Sequence, residues 1–191
     1  MRKLAILVFQ TLDGVMQAPS SPAEDNSSGF AHGGWAGPYW DEVMGQVTRE
    51  AMADPYDLLL GRTTYDIFAA SMRDADSSNA TAQRLNRARK YVVTTHPSGL
   101  DWQNTVHVSG HIPAQIRQLK EQNGPLLQVH GSWQLIQLLL QNRLIDEFRL
   151  WTFPVILGAG KRLFADGSSP QQLTLVKQEA TGNGVIMTIL R

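Results

Sequence analysis

The sequence predicts an α/β fold: a mixed, mostly parallel central sheet with helices on both faces, closed at the C-terminus by an antiparallel hairpin. Three observations carry this. Short apolar runs alternate with helix-length amphipathic segments along most of the chain, the order that strands joined by helical crossovers produce. The first run, from Leu4 to Phe9, is apolar on both faces, as a central strand covered from both sides requires. The tail departs from this alternation: two apolar segments flank Thr181-Gly182-Asn183-Gly184, whose glycines permit a tight turn.

In chain order, the first strand ends at Asp13-Gly14. Residues 18–40 are rich in Pro, Ser, Gly and Asn, exceed an ordinary connection and carry Phe30, Trp35, Tyr39 and Trp40, so they form a candidate active-site loop. A helix is predicted over 41–52, entered near Pro38 and stopped by Asp54-Pro55. A strand over 56–60 follows, turning at Gly61 into a helix over 64–71 with Tyr65, Ile67 and Phe68 inward. Next come a helix over 80–89, strands over 91–95 and 106–108, and a helix over 113–122. A strand over 126–129 ends at His130-Gly131-Ser132, before a helix over 134–141 and a long strand over 145–153. The hairpin strands are placed at 173–176 and 185–190. No repeat or linker divides the chain, and residues 1–191 read as one domain.

A 42% apolar content over 191 residues supplies a core without metal or disulfide staples. The 17 Lys plus Arg balance 17 Asp plus Glu, which argues against capture of nucleic acid. Arg84, Arg87, Arg89 and Lys90 are spread along a helix and its exit without stacking aromatics, and read as a solvated face. The absence of cysteine excludes thiolate nucleophiles and cysteine-ligated metals. The five histidines form no local ligand pattern, so no metal site is expected. No run reaches transmembrane length, and a soluble, cytoplasmic protein without a membrane partner is expected.

Glycines stand just after strands at Gly14, Gly61, Gly131 and Gly158-Ala159-Gly160, where open α/β sheets bind ligands. Gly61-Arg62-Thr63-Thr64 combines close backbone approach, free helical N–H groups, hydroxyls and a forked cation, a set that suits phosphate. An ordinary turn and helix cap is the alternative. His130-Gly131-Ser132 repeats the arrangement, and Leu157-Gly158-Ala159-Gly160-Lys161 offers a third turn with a cation beside it. Neither G-x-G-x-x-G nor G-x-x-x-x-G-K-[ST] is present.

The ordered segments TLDGVMQ (11–17), LLLGRTTYDIF (58–68), VHGS (129–132), LIDEFRL (144–150) and PVILGAGKRLF (154–164) resemble the dihydrofolate-reductase-like superfamily, in the branch similar to the reductase domain of riboflavin biosynthesis. The resemblance implies a three-layer sandwich, a homodimer and an NADPH-dependent reductase site. In that site Gly61, Arg62, Thr63 and Thr64 would meet the cofactor phosphates, and Thr94 and Thr95 the adenosine half. Gly131 and Ser132 would approach the pyrophosphate or nicotinamide ribose, with Leu157, Gly158, Gly160 and Lys161 completing the cradle. The implied reaction is hydride transfer to a pterin-like or pyrimidine-ribityl heteroaromatic compound. The alternatives are 5-amino-6-(5-phosphoribosylamino)uracil reductase and a non-catalytic nicotinamide-nucleotide-binding protein. Asp13 resembles the substrate-facing acid of the S/T-L-D-G motif and Asp41 approximates the acid on the first helix. Both are candidate proton handlers if burial raises their pKa, with a structural cap as the alternative. Trp35, Tyr39 and Trp40 are candidate walls for a planar substrate, with core packing as the alternative. The pair Asp146-Glu147 resembles a structural motif of the family and carries no proton-transfer role.

Overall fold

A computed structural model describes residues 1–76, 78–166 and 168–191. Its first elements are β1 (Leu4–Thr11), α1 (Glu42–Ala51), β2 (Tyr56–Gly61), α2 (Arg62–Met72), α3 (Ala80–Arg87), β3 (Lys90–Val93) and β4 (Thr105–Val108). They are followed by α4 (Ile112–Glu121), β5 (Leu126–His130), α5 (Trp133–Gln141), β6 (Glu147–Phe153), β7 (Leu175–Ala180) and β8 (Ile186–Leu190). Contacts gather into two compact units, Met1–Ala5 with Pro55–Leu144 and Ile6–Asp54 with Ile145–Arg191.

The first unit is parallel throughout, in the order β4-β3-β2-β5. Leu58 pairs with Lys90, Lys90 with Thr105, and Tyr56 with Leu126. Beyond β5 the Leu127 N–H donates to Lys3 O at the entry to β1. Leu58, Leu59, Leu60, Leu127 and Val129 are fully buried, as parallel strands covered on both faces require. The helices contribute Ile116, Ile136 and Leu139 to the same core, each such side chain stabilising the fold by about 1.5–3 kcal/mol. Strand β3 stops at Val93 rather than running to 95, because the Thr94 hydroxyl accepts the His96 N–H at 3.1 Å and turns the chain locally.

Lys90 corrects the expectation of a solvated basic face. Helix α3 ends at Arg87, so Lys90 opens β3, a strand whose first three residues are all buried, and is itself fully buried. Its ammonium donates to Asn86 O, Ala88 O and Gln103 O at 3.1, 2.9 and 3.0 Å and lies 4.3 Å from the Trp102 ring centroid.

In the second unit the order is β1-β6-β8-β7, and the C-terminal strands form the expected antiparallel hairpin, with Trp151 opposite Met187 and Met187 opposite Glu179. Gly184, at φ +81°, allows the turn. Strand β7 covers 175–180 instead of 173–176. It is exposed over nearly its whole length, so Lys177, Gln178 and Glu179 occupy it at no desolvation cost and hide it from an apolar-run reading. Glu147 is buried between Arg149 and Arg191, which donate to its two carboxylate oxygens at 2.7 and 2.9 Å and tie down the C-terminal residue. Among the described residues no helix is long and apolar enough to cross a membrane.

Burial lowers the Lys90 pKa from 10.5 to about 8. The unfolded chain therefore holds this proton more tightly than the folded one, and the group's contribution to stability is absent below about 8 and grows as pH rises toward 10.5. Denaturant titrations across this window should show the stability difference between the native protein and Lys90→Met moving in favour of the native protein as pH rises. A pH-independent difference would contradict the assignment.

Candidate functional site

In the first unit two glycine turns lie at the carboxyl ends of neighbouring parallel strands. Gly61 leaves β2 in an extended conformation and is the N-cap of α2. Gly131 and Ser132 leave β5 with φ of +51° and +58°, and Ser132 is the N-cap of α5. A left-handed serine costs conformational energy, and local contacts hold it there. The Ser132 hydroxyl accepts the Gly61 N–H at 2.9 Å, while the Ser132 N–H donates to the Thr64 hydroxyl at 3.0 Å. A Cβ on Gly61 would lie 3.6 Å from Ser132 Oγ, and one on Gly131 would lie 3.5 Å from Thr64 Oγ1, so an added methyl at either turn would reach ordinary contact with the other.

Neither Gly61 nor Ser132 makes a side-chain cap hydrogen bond to its own helix, and their contacts set the positive ends of the α2 and α5 dipoles side by side. Thr63 lies exposed on the first turn of α2. Two adjoining helix N-termini are the kind of site that could hold a diphosphate, and the first-turn residues of α2 there are Arg62, Thr63 and Thr64. The Arg62 side chain has a different task. Its Nε meets both Asp66 oxygens at 2.9 Å and its Nη1 donates to His96 O and Ser98 O at 2.9 and 2.7 Å, so it clamps the segment after β3 against α2. That segment holds Thr94, whose hydroxyl accepts the His96 N–H, and Thr95, whose hydroxyl lies 2.9 Å from His96 Nδ1. Tyr65 is buried, and its hydroxyl accepts the Trp102 N–H at 2.9 Å.

The second unit gathers the remaining candidates around Asp13, at the end of β1. The Asp13 carboxylate accepts from the Thr11 hydroxyl at 2.6 Å, the Gly158 N–H at 2.8 Å and the Leu157 N–H at 3.2 Å. Arg162 donates to Asp13 O and Gly158 O at 3.0 and 2.8 Å. Burial acts to raise the Asp13 pKa, but the donors from Thr11, Gly158 and Leu157 outweigh it and hold the group at about 2. The expectation of a raised pKa is thereby corrected: hydroxyl and backbone donors hold the Asp13 carboxyl below its ordinary value. It also consumes the Leu157 and Gly158 amides expected to face a phosphate.

Gly160 has a packing reason. At φ +128°, a Cβ would meet Val15 Cγ1 at 2.6 Å and Phe30 Cε2 at 2.9 Å. The Lys161 ammonium is paired with Asp25 at 2.6 Å. Burial opposes ionisation of Asp25, but donors from Lys161 and Ser27 lower its pKa. Gln17, which sequence reasoning passed over, joins these parts. Its side chain donates to Asp25 O and Ser27 O, both at 3.1 Å, and accepts the Lys161 N–H at 3.1 Å, while its backbone carbonyl accepts from Trp35 Nε1 at 2.8 Å. The available signal was its position at the end of the TLDGVMQ segment.

Asp41 caps α1, accepting the Met44 N–H at 2.7 Å. Trp35 is 7% exposed and sits edge-on to Phe153, so it packs in the core and presents no face to a substrate. Tyr39 is half-buried with its ring edge-on to Phe153, whereas Trp40 is 51% exposed and rests 6.0 Å from the Phe9 ring. Of the three aromatic candidates, Trp40 offers the open surface.

Replacing Asp13 by Asn removes the charge that holds Leu157, Gly158 and Arg162 in place. The expected loss is about 1–3 kcal/mol at neutral pH, read by denaturant unfolding. With a folded pKa near 2 against 3.8 for the free group, this advantage of the native protein over Asp13→Asn is full above about pH 4 and disappears as pH falls toward 2.

Comparison with known proteins places these arrangements among relatives. The Bacillus subtilis protein YyaP, described as uncharacterized, is 27% identical over 135 residues, covering 69% of this chain and 71% of its own length. A putative riboflavin biosynthesis protein from Shewanella sp. PV-4 superposes with a TM-score of 0.61 at 19% identity, covering 100% of this chain and 98% of its own. A pyrimidine reductase-like protein from Corynebacterium diphtheriae gives 0.65 at 12% identity, over 100% of this chain and 91% of its own. A diaminohydroxyphosphoribosylaminopyrimidine deaminase/5-amino-6-(5-phosphoribosylamino)uracil reductase from Thermotoga maritima gives 0.63 at 16% identity, and this chain spans 56% of it. These neighbours share the α/β fold with its mostly parallel sheet and C-terminal hairpin. With residues 2–187 matching the RibD C-terminal domain, the chain belongs to that reductase-type family.

Proposed function

We propose that the protein is an NADPH-dependent reductase that delivers hydride to a pterin-like or pyrimidine-ribityl heteroaromatic substrate. The observation that carries this reading is the interlock of Gly61 and Thr64 with Gly131 and Ser132, which sets two uncapped helix N-termini together at the carboxyl ends of β2 and β5. The bound nicotinamide would supply the hydride, and the protein's task is binding and orientation. Thr64 fixes the Ser132 amide, Ser132 fixes Gly61, and Arg62 holds the segment carrying Thr94 and Thr95 beside α2.

In the second unit the cations next to Asp13 are paired: Arg162 with Asp13 itself and Lys161 with Asp25. This favours a substrate without its own phosphate over the phosphoribosylamino-pyrimidine. The commitment of Asp13 and Asp41 to backbone donors favours water, rather than a carboxylic acid, as the proton source. The same observation supports a second reading, a nicotinamide-nucleotide-binding protein without turnover. Pairing of two copies belongs to the proposal, and the exposed apolar side chains of Leu175, Val176 and Ile186 supply a surface for it.

A fluorescence titration with NADPH should saturate. Thr64→Val, which deprives the Ser132 amide of its acceptor, should weaken the affinity about tenfold. Absence of NADPH binding would sink the reductase reading. NADPH oxidation with dihydrofolate, dihydropterins or the riboflavin-pathway pyrimidine then separates the substrates, and saturable binding with no oxidation by any of them selects the binding protein.

A further inference from the structure

The strands of the first unit have a second pole, at their N-terminal ends, and a cavity of about 360 Å³ opens there. Its floor is built around Arg2, whose side chain is only 2% exposed. Arg2 Nη2 donates to Asp57 Oδ2 at 2.5 Å, its Nε donates to Pro125 O at 2.7 Å, and its guanidinium carbon lies 5.8 Å from the Tyr91 ring centroid. Gly124 makes this placement possible, because a Cβ there would lie 3.0 Å from Arg2 Nε. A nearly dry guanidinium needs a charged partner, and Asp57 provides one. The charge of Asp57 is thereby spent: its second oxygen accepts the Arg89 N–H at 3.3 Å.

Arg87 and Arg89 also line the cavity, and neither forms an ion pair among the described residues. Arg89 Nη1 reaches only the Tyr91 hydroxyl, at 3.4 Å. The backbone beneath Arg87 is braced by Asn104, whose side-chain amide donates to Asn86 O at 3.1 Å and Arg87 O at 3.4 Å. The floor is therefore neutral and rigid, and its lining adds two uncompensated guanidinium groups beside a polar hollow. Two planar forks with a summed charge of +2 match a phosphate dianion in both charge and donor geometry. The volume is at the small end of ligand sites and admits a phosphate with a short organic group attached. The chain's balanced charge and the burial of Tyr91, the aromatic side chain of the lining, disfavour a polyanionic strand.

We propose that this cavity binds a small phosphate-bearing dianion between Arg87 and Arg89, above the Arg2–Asp57 floor. The proposal is independent of the reductase reading, since the glycine turns lie at the opposite ends of the same strands. The test is a calorimetric titration of the full chain at low salt with inorganic phosphate and with glycerol 3-phosphate, alongside amide chemical-shift mapping. Tighter binding of the ester identifies a phosphorylated metabolite, and equal binding identifies free phosphate.

In the supporting result, shifts centre on Gly124 and Arg89, and Arg87→Ala/Arg89→Ala weakens binding at least about tenfold, whereas Thr64→Val leaves it unchanged. Affinity should also fall as salt is added, because Arg87 and Arg89 are exposed. Both side chains lie outside the core, so the double variant should keep the native circular dichroism spectrum. The proposal is overturned by no binding up to about 10 mM, by equal affinity in the double variant, or by shifts at Gly61 and Gly131 that Thr64→Val abolishes.

Discussion

Parallel pairing of β2 with β5 is the constraint on which the first unit depends. Tyr56 lies opposite Leu126 and Leu58 opposite Gln128, and continuing that register sets Gly61 level with Gly131. Parallel strands covered on both faces must pass straight from sheet to helix, so both chains turn at the same end with little room for a loop. The polar groups freed at the turns need partners, and Ser132 and Thr64 provide them across the strand pair. Sheet register thus places two helix N-termini side by side. The proposed anion site rests on that geometry before any charged side chain is considered.

The second unit solves a different problem. Residues 18–40 form little regular structure beyond two short 3₁₀ turns, so side chains must satisfy much of the backbone. Gln17 serves four partners, Trp35 donates to the Gln17 carbonyl, and Lys161 is paired with Asp25. Asp13 does the same for the turn at 157–158 and carries a full charge while doing so. Such a network is rigid when every member is satisfied, which explains how a long glycine- and serine-rich segment keeps Phe30 and Trp35 buried.

Local pattern made most elements legible because a buried strand or amphipathic helix announces itself within its own residues. Gly61, Gly131 and the neighbouring threonine and serine could be placed at strand ends for this reason. What failed to show was every property set by a distant partner. Lys90 belongs by sequence to a basic run, yet it opens a strand buried on both faces and its ammonium meets the carbonyls of Asn86, Ala88 and Gln103. Asp13 could be located, but its pKa depends on amides more than a hundred residues away. Strand β7 was displaced because an exposed strand places no apolar demand on its side chains.

The two poles of the first unit show how strand polarity dictates binding chemistry. At the carboxyl ends the chain enters helices, whose free N–H groups and dipoles attract anions without any basic residue. At the amino ends β3 and β5 are entered from the C-termini of α3 and α4, the negative ends of their dipoles. An anion there must be held by side-chain cations strong enough to reverse that field. Arg87 is the last residue of α3, Asn104 donates to the Asn86 and Arg87 carbonyls there, and Arg2 neutralises Asp57 from below. Arginine suits this end because its charge is permanent and its fork offers several donors at once. Glycine and hydroxyl residues at one pole and arginines at the other are therefore complementary answers to one sheet direction.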